Sequence, residues 1–417
     1  MNVPVFLARK VRHAPEGSFS ATVTRIGVVS IALGLTVLIV AFGITFGYKN
    51  SIQQKIFLFG AHIQVGKFTN NYSYEESAIP LDTKLYRERS RISGIRHVQA
   101  VALKAGILKT KDELTGVVLK GVGRDYDWNL LRESLVAGTV PVVGADSSRG
   151  KPNPGSTQLL ISQYMANQLQ AKVGDGIPMY FLGGRAGSPP RVRKMTVVGI
   201  YDTGLEEVDK TIALGDIRLI QRLNNWGPDS VGSYEIFVND FDQLEPAVAT
   251  IFDLLTPDLR LTRVTDQYRP LFDWMLLLDR NMVILLALIT FVASFNMVSV
   301  LIVLMMERTP MIGLLKALGG PNPLIRRMFL YVGLNMVGWG LLIGNVVGLT
   351  LCWLQWQFRL VPLDPKNYFV TYVPISWDWP TILALNGATI ALIALVLWLP
   401  TLVINRIQPV KALAFKK

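Results

Sequence analysis

Four long stretches of this sequence contain no charged residue: 26–48, 281–306, 328–358 and 379–405. An α-helix needs about 20 apolar residues to cross the roughly 30 Å hydrocarbon core of a bilayer. Each stretch is long enough, whereas apolar stretches of about 10–14 residues are more typical of core helices in soluble proteins. The sequence therefore predicts an integral membrane protein with four transmembrane α-helices.

The basic residues outside these stretches are unevenly distributed. Segments 1–25 and 307–327 each carry four Lys or Arg and one acidic residue, and 406–417 carries four and none, whereas 49–280 has 28 basic and 26 acidic residues. Lys and Arg accumulate in the cytoplasmic loops of membrane proteins. We therefore expect both termini and 307–327 in the cytoplasm and 49–280 outside. Because this orientation accounts for most of the net charge of +12, we predict no nucleic-acid partner.

The first apolar stretch is predicted to remain as an anchor. It is 23 residues long, longer than the apolar part of a cleaved signal peptide, and no convincing small-x-small cleavage site follows it. Cys352 is the single cysteine, so no disulfide forms within the chain and the exported domain must fold by its core alone.

The segment after the first stretch is patterned like a folded domain. "AHIQVGKF", "LTGVVLKGVG" and "KMTVVGIYD" alternate like strands, while "GDIRLIQRL" and "PAVATIFDLL" have helical spacing of apolar residues. We expect a large α+β domain in two lobes, inserted between helices 1 and 2. The predicted organisation in chain order is a cytoplasmic elbow (1–25), first span (26–48), exported domain (49–275), second span (276–306), cytoplasmic loop (307–327), third span (328–358), outer loop (359–378), fourth span (379–405) and cytoplasmic tail (406–417).

Motifs for common catalytic chemistry are missing from the sequence. There is no G-x-x-x-x-G-K-[ST] for nucleotide phosphates, no G-x-S-x-G and no H-E-x-x-H, and His13, His62 and His97 have no metal-ligand spacing. The four apolar stretches also lack the charged residue that an ion-coupled carrier normally needs near the midplane. These absences argue against an enzyme, a metal site and a secondary transporter.

The cytoplasmic loop contains "ERTPMIGLLKALGG", which begins at Glu307. Thr309 is expected to cap a helix that starts at Pro310, where a missing N–H costs nothing, and ends at Leu318 before two glycines. Met311, Leu314, Leu315 and Leu318 would form its apolar side. Such a helix, joined to two spans, suits protein docking, although the same pattern also fits an interfacial helix that only closes a loop.

Glycines recur every fourth residue in two spans, at Gly43 and Gly47 in the first and at Gly340, Gly344 and Gly348 in the third. Small residues at this spacing allow helices to approach closely. We expect these glycines to be helix-packing positions.

The stretch "FVASFNMVSVLIVLMMERTPMIGLLKALGGPNPLIRRMFL" resembles the second span and following loop of the LolC/LolE permeases, within the wider MacB/FtsX-type ABC transporter family. "AKVGDGIPMYF" and "KMTVVGIYDTGLEEVD" resemble the later part of that family's periplasmic domain. The resemblance covers essentially the whole chain. It implies a bacterial inner-membrane permease subunit with a periplasmic α+β domain, which acts in the release of lipoproteins towards the outer membrane.

The resemblance implies that a separate LolD-like ABC ATPase binds ATP and Mg²⁺, and that this chain binds no cofactor itself. In that family the loop helix docks on the ATPase. Carried over, this coupling role falls on Glu307, Arg308, Ile312, Gly313, Leu315, Lys316, Leu318 and Gly319.

The resemblance also implies a second permease subunit, either another copy or a homologue, and a triacylated lipoprotein that enters a cavity lined by the first two spans. A LolA-like periplasmic chaperone would bind the loop Phe181–Lys194, whose candidate contacts are Arg185, Pro189, Pro190 and Arg191. The loop departs from the LolC hook in length and sequence.

Aromatic and methionine side chains near the outer ends of the first two spans form a candidate lining for lipoprotein acyl chains and membrane lipid, because they are apolar and adaptable. Aromatic residues at a membrane interface also serve simply as anchors. The candidates are Phe42, Phe46, Tyr48, Phe272, Met275, Leu278 and Met282.

Two other functions fit the same layout. One is MacB-like export of peptides or toxins, and the other is FtsX-like signalling across the membrane to a periplasmic hydrolase. An enzyme acting on lipids is a more remote alternative. Accumulation of lipoproteins in the inner membrane upon depletion would distinguish lipoprotein release from all of them.

Overall fold

The computed structural model describes residues 19–69, 74–89, 91–132, 134–144, 155–181, 189–364, 368 and 370–401. The chain divides into two compact units. The helical unit comprises Met1–Asn50, Trp274–Leu363 and Tyr372–Lys417, and the sheet unit comprises Ser51–Asp273 and Asp364–Thr371. Residues 1–18 of the predicted elbow (1–25) and the tail 406–417 lie outside the described residues, and residues 19–25 belong to the first helix.

The described α-helices, in chain order, are α1 (Phe19–Gly60), α2 (Lys84–Glu88), α3 (Asn129–Arg132), α4 (Gln163–Leu169), α5 (Glu206–Thr211), α6 (Ile217–Leu223), α7 (Leu244–Phe252), α8 (Val264–Gln267), α9 (Arg269–Glu307), α10 (Thr309–Ala317), α11 (Asn322–Phe358) and α12 (Trp379–Thr401). The four long apolar helices α1, α9, α11 and α12 are the ones with the length and composition to cross a membrane. They contain the four uncharged stretches apart from residues 402–405, which are not described, and α1 continues twelve residues beyond residue 48 while α9 begins twelve residues before residue 281.

The described strands are β1 (Ile63–Lys67), β2 (Ile79–Pro80), β3 (Ile95–Lys109), β4 (Leu114–Val122), β5 (Leu135–Gly138), β6 (Gln158–Ser162), β7 (Gly176–Phe181), β8 (Arg191–Tyr201), β9 (Ile212–Asp216), β10 (Ser230–Val231), β11 (Ser233–Val238) and β12 (Leu259–Arg263). All lie in the sheet unit. The strands expected from "AHIQVGKF", "LTGVVLKGVG" and "KMTVVGIYD" correspond to β1, β4 and β8.

One ten-stranded sheet runs through the sheet unit in the order β12-β1-β11-β3-β4-β9-β6-β8-β5, and β7 pairs with both β3 and β8. The pairings β3-β4-β9-β6-β8-β7-β3 therefore close into a ring of six strands. The long strand β3 belongs both to this ring and to the open part of the sheet beside β11. The exported domain was expected in two lobes, and this one continuous sheet runs through it.

The glycines of α11 pack against α1 in the helical unit, as predicted. A Cβ atom at Gly340 would lie 2.7 Å from Ile31 side-chain atoms, and one at Gly344 would lie 2.8 Å from the Ala32 carbonyl oxygen. The Thr36 hydroxyl donates to the Gly344 carbonyl at 3.2 Å. Such close backbone approach is the usual role of small residues between membrane helices.

Of the two glycines of α1, Gly47 has a different neighbour from the one predicted, whereas a Cβ atom at Gly43 would lie nearest to Cys352 Sγ on α11, at 3.4 Å. A Cβ atom at Gly47 would lie 2.7 Å from the carbonyl carbon of Pro374 and 2.9 Å from the Cα of Ile375. The backbone N–H of Ser376 donates to the Gly43 carbonyl at 3.0 Å. The expected helix–helix contact is therefore wrong for Gly47, because an extended segment between α11 and α12 occupies that side of α1.

Candidate functional site

The short helix α10 follows α9 after a single residue, Arg308. The predicted helix is present, with Pro310 in its first turn. Thr309 is not its cap, since the Thr309 hydroxyl donates back to the Met305 carbonyl at 3.0 Å. Because α9 continues as far as Glu307, this hydroxyl is within reach of a carbonyl of the preceding turn.

Two glycines end α10 as the sequence predicted. Gly319 has a φ of +84°, a backbone conformation that glycine adopts without strain. The N–H of Gly320 then donates to the Leu315 carbonyl at 2.8 Å. These bonds satisfy carbonyl groups that a helix end leaves without a partner. They fix both the length of α10 and the direction in which the chain enters α11.

The apolar residues of α10 divide between two faces. Ile312 and Gly313 are buried, and Met311 and Leu315 pack against the core formed by the long helices. Leu318, by contrast, is 77% exposed. The single apolar side predicted for this helix is therefore divided: Met311 and Leu315 face the core of the helical unit, and Leu314 and Leu318 are exposed.

The exposed half of α10 is broader than Leu318 alone. Leu314 on the same helix is 53% exposed and Met306 at the end of α9 is 72% exposed. Among the other coupling candidates, Glu307 and Gly319 are exposed, and Arg308, Leu315 and Lys316 are half-buried. The structure thus separates the candidates into anchoring positions and accessible positions.

Three side-chain contacts join α1 and α9 at one end of the helical unit. The Thr45 hydroxyl donates to Met282 Sδ at 3.3 Å, and the rings of Tyr48 and Trp274 meet edge to face with centroids 5.8 Å apart. The Lys49 ammonium lies 2.7 Å from an Asp279 carboxylate oxygen. Tyr48 and Met282 from the candidate lining therefore lie at this α1–α9 contact. Neither Lys49 nor Asp279 was among the predicted residues, although Lys49 directly follows the first apolar stretch and Asp279 lies two residues before the second.

The other candidate lining residues occupy different places. Phe42 and Phe46 line a small pocket with Cys352 and the segment 375–378, away from α9. Met275 is 1% exposed, and Leu278 is half-buried. Phe272 belongs to the sheet unit, where its ring stacks on Phe241 with centroids 5.8 Å apart. Within the helical unit, Phe42 and Phe46 therefore lie at a different place from Tyr48 and Met282.

Strands β7 and β8 form the arms of the hairpin expected around residues 181–194. Phe181 pairs with Arg191 and Gly176 with Thr196. Pro189, Pro190 and Arg191 are exposed, as are the next three residues of β8, so this arm presents its side chains outward along four successive positions. Arg185 lies outside the described residues. In the described part of the chain, no group of three or more His, Cys, Asp or Glu side chains is placed to hold a metal ion.

Comparison with known proteins gives a consistent result over the whole chain. The family model "FtsX-like permease C-terminal" matches residues 283–409. The chain is 24% identical to the lipoprotein-releasing system transmembrane protein LolC of Neisseria meningitidis serogroup B, with 98% of each chain covered. It is 22% identical to the corresponding protein LolE of Haemophilus influenzae, with 99% of this chain and 100% of that protein covered.

Among solved structures, the periplasmic region of MacB from Actinobacillus actinomycetemcomitans matches 51% of this chain and 94% of its own length. That similarity has 13% identity and a TM-score of 0.32.

Proposed function

We propose that this chain, which resembles the LolC and LolE transmembrane proteins from end to end, is the permease subunit of an ABC transporter that releases lipoproteins from the inner membrane. The observation that carries the proposal is the coverage of 98% of both chains in the LolC comparison. A match confined to the FtsX-like C-terminal part, residues 283–409, would fit the exporting and signalling members of the wider family equally well.

The energetics of the substrate explain why such a permease needs a partner. Burial of acyl chains is worth about 0.8 kcal/mol per CH₂, so exposing one long chain to water costs on the order of 10 kcal/mol. Extraction of three chains from a bilayer requires a shielded path and an external source of energy. This chain offers long apolar helices for the path and contains no P-loop sequence. ATP and Mg²⁺ therefore belong to a separate ATPase subunit in this proposal.

The exposed half of α10 is the proposed docking surface for that ATPase. Leu314, Leu318 and Met306 are exposed apolar side chains around a helix whose other half is buried. Since Ile312 and Gly313 hold α10 against the inner ends of the long helices, a displacement of α10 by the ATPase would be passed to α9 and α11. This is the route by which ATP hydrolysis would move the spans.

The proposed orientation places both termini and α10 in the cytoplasm and the sheet unit in the periplasm. The asymmetry of Lys and Arg between alternate connections supports it. In this orientation the contacts Thr45–Met282 and Lys49–Asp279 lie at the periplasmic ends of the spans, next to the leaflet in which a lipoprotein waits. The outer ends of α1 and α9 are therefore the proposed place of substrate entry.

The β7–β8 hairpin is the proposed contact for a periplasmic chaperone. Its exposed arm carries Arg191, Arg193 and Lys194, and Arg191 also donates to the Leu223 carbonyl at 2.7 Å. This bond fixes the loop-side end of β8 to α6.

Depletion of the chain in its own host tests the proposed function. Lipoproteins destined for the outer membrane should accumulate in the inner membrane within one or two generations, and re-expression of the full chain should reverse this. Normal lipoprotein sorting on depletion, together with a defect in toxin export or in cell-wall hydrolysis, would contradict the proposal and support one of the alternative functions.

A further inference from the structure

A cleft lined by tryptophan rings lies in the helical unit, between the end of α11 and the start of α12. It has a volume of about 420 Å³, and its lining residues are Leu349, Thr350, Trp353, Trp377 and Trp379. The side chains of Trp353 and Trp379 are 47% and 56% exposed, so the cleft opens to the outside of the unit. Because most of its lining is indole, the cleft presents aromatic faces to whatever lies against it.

The depth of the cleft along the two helices identifies its neighbour. Trp353 lies six residues before Arg359, the first charged residue after the apolar stretch of α11, which corresponds to about 9 Å along a helix. Trp379 directly follows Asp378, the last charged residue before the apolar stretch of α12. Both helices therefore place the cleft where a span leaves the hydrocarbon core, and tryptophan is enriched at that depth. The neighbour there is the headgroup region of a phospholipid.

The charge beside the cleft is negative. Asp378 lies between Trp377 and Trp379 in the chain, and it lines an adjoining pocket that shares Leu349 and Trp377 with the cleft. The Thr381 hydroxyl donates to its carboxylate at 2.5 Å. Among the described residues that line the two spaces, none is Lys or Arg. Since the face of an aromatic ring also attracts positive charge, this surrounding favours a cation and disfavours an anionic headgroup.

Contacts within the helical unit hold the indole rings in place. Trp377 and Trp379 stack with ring centroids 6.2 Å apart and an interplanar angle of 24°. The Trp353 ring meets Phe358 edge to face, with centroids 6.2 Å apart and an angle of 89°. Side chains that are already ordered lose little conformational freedom when a ligand binds. The cleft is thus a preorganised set of rings.

We propose that this cleft binds the ammonium headgroup of a membrane phospholipid, such as phosphatidylethanolamine. The proposal depends on the proposed function only in requiring that α11 and α12 cross a bilayer, and not in what the transporter carries. Tryptophan faces beside a carboxylate suit an ammonium group, which is attracted by both. Tryptophans that only anchor a span at the interface would not distinguish one headgroup from another, so headgroup preference separates the two roles.

Lipid competition measures this preference. The chain with its ATPase subunit is placed in nanodiscs that contain equal amounts of phosphatidylethanolamine and phosphatidylglycerol with identical acyl chains. Native mass spectrometry then gives the ratio of the two lipids that remain bound in mild detergent. The net charge of +12 attracts the anionic lipid elsewhere, so each variant is compared with the wild type. Trp353→Leu, which removes the aromatic face, should lower the ethanolamine-to-glycerol ratio at least about threefold, the scale of one exposed cation–π contact.

Trp356 provides the matched control for this experiment. It lies on α11 three residues from Trp353 and is 53% exposed, but it is not among the described residues that line the cleft. Trp356→Leu should therefore leave the lipid ratio unchanged. Two interfacial anchors at nearly the same depth would respond alike. Equal ratios for the two variants, or a wild-type ratio for Trp353→Leu, overturn the proposal.

Two further variants keep the test decisive if Trp353→Leu does not assemble. Asp378→Asn retains a side-chain oxygen for the Thr381 hydroxyl but loses the charge, and it should lower the ratio. Trp353→Phe retains an aromatic face and should keep most of the preference. An unchanged ratio for Asp378→Asn also overturns the proposal. Because the measured quantity is bound lipid, such a result rejects the lipid site and leaves the proposed function standing, which depletion of the chain tests separately.

Discussion

Lys120 and Glu235 form an ion pair inside the sheet unit, with Nζ 2.6 Å from Oε1 and side chains only 2% and 5% exposed. The Lys120 ammonium also donates to the Phe59 carbonyl at 3.0 Å, in the last turn of α1. Gln99 donates to the other Glu235 oxygen at 2.9 Å. A cation at the carbonyl end of a helix is favourable, so this pair fastens the end of α1 to the sheet.

Lys120→Met should destabilise the sheet unit strongly, because it leaves the Glu235 carboxylate buried without a cation. Removal of one partner of a buried pair typically costs about 3–5 kcal/mol. The double variant Lys120→Met/Glu235→Leu should recover most of this loss. Thermal unfolding of the full chain in nanodiscs measures it, with Lys210→Met in an exposed pair as the control. A Lys120→Met chain as stable as the wild type would contradict the prediction.

Leu318→Asp should weaken binding of the ATPase subunit at least about tenfold, equivalent to about 1.4 kcal/mol, without affecting the fold. The native side chain is 77% exposed, so the charge meets water unless a partner covers it. Co-purification of the ATPase measures the effect. Leu114→Asp, at a side chain 61% exposed in the sheet unit, should leave it unchanged. If the two variants bind the ATPase equally well, the exposed half of α10 is not the docking surface.

Gly47→Ala should destabilise the helical unit by about 1–3 kcal/mol, the usual cost of overpacking, while Gly43→Ala should be tolerated. The added Cβ atom would lie 2.7 Å from the Pro374 carbonyl carbon at Gly47, whereas the nearest atom to one at Gly43 is Cys352 Sγ at 3.4 Å. Thermal unfolding of the two variants compares them directly. Similar unfolding midpoints for the two variants would show that residues 374–376 shift at little cost to accommodate the added methyl group.

The Gly47 contact could be predicted only in part from the sequence. The spacing of Gly43 and Gly47 correctly indicated a close approach but could not identify the neighbouring segment. A helix and an extended segment can approach equally closely only where α1 has no side chain, so both would require glycine there. For Gly340 and Gly344 the expected helix was the partner. The four long helices and α10 could be predicted because their signals are local in the sequence. These signals are the uncharged stretches for the long helices, and the proline and glycines at the ends of α10.

The closed ring of strands could not be predicted from the sequence for a related reason. The β7–β8 hairpin was foreseen because its strands are neighbours in the chain. The pairing of β7 with β3 joins Leu108 to Met179, and no local pattern records a contact between such distant positions. The division of α10 into a buried and an exposed half likewise depends on what α9 and α11 place beside it.

Glu76 should make the stability of the sheet unit depend on pH. Its carboxylate points inward and accepts bonds from the Leu103 N–H at 2.7 Å and the Ser233 hydroxyl at 2.8 Å. Burial raises its pKa from 4.5 to about 7, while the nearby Lys120 lowers it slightly. The folded state therefore holds a proton that the unfolded state has lost between about pH 4.5 and 7, so stability falls as pH rises through that range.

Glu76→Gln should remove this contribution. The stability of the wild type relative to the glutamine variant should decrease by on the order of 1–2 kcal/mol between pH 5.5 and pH 8. The comparison with the variant cancels the opposite effect of His62, whose pKa burial lowers from 6.5 to about 4. Parallel pH profiles for the two chains would show that Glu76 titrates alike in the folded and unfolded states.

A covalent link between the outer ends of α1 and α9 should block lipoprotein release. The contacts there are made by side chains. One of them is the Lys49–Asp279 ion pair at 2.7 Å, whose side chains are partly exposed. A surface ion pair of this kind stabilises a protein by at most about 1 kcal/mol. Elsewhere, α1 is held through backbone contacts at Gly344 and Gly43. Separation on the α9 side is therefore the less costly movement, and the proposed entry of an acyl chain requires it.

The chain with Cys352→Ala, Lys49→Cys and Asp279→Cys, joined by a short cleavable bismaleimide, should lose release of lipoprotein to the chaperone in proteoliposomes. Cleavage of the link should restore it, and binding of the ATPase should be normal throughout. The same reagent on the Lys49→Cys chain alone controls for modification of the site. Undiminished release from the linked chain would show that α1 and α9 stay together during transport, and the lipoprotein would then have to enter between α9 and a neighbouring subunit.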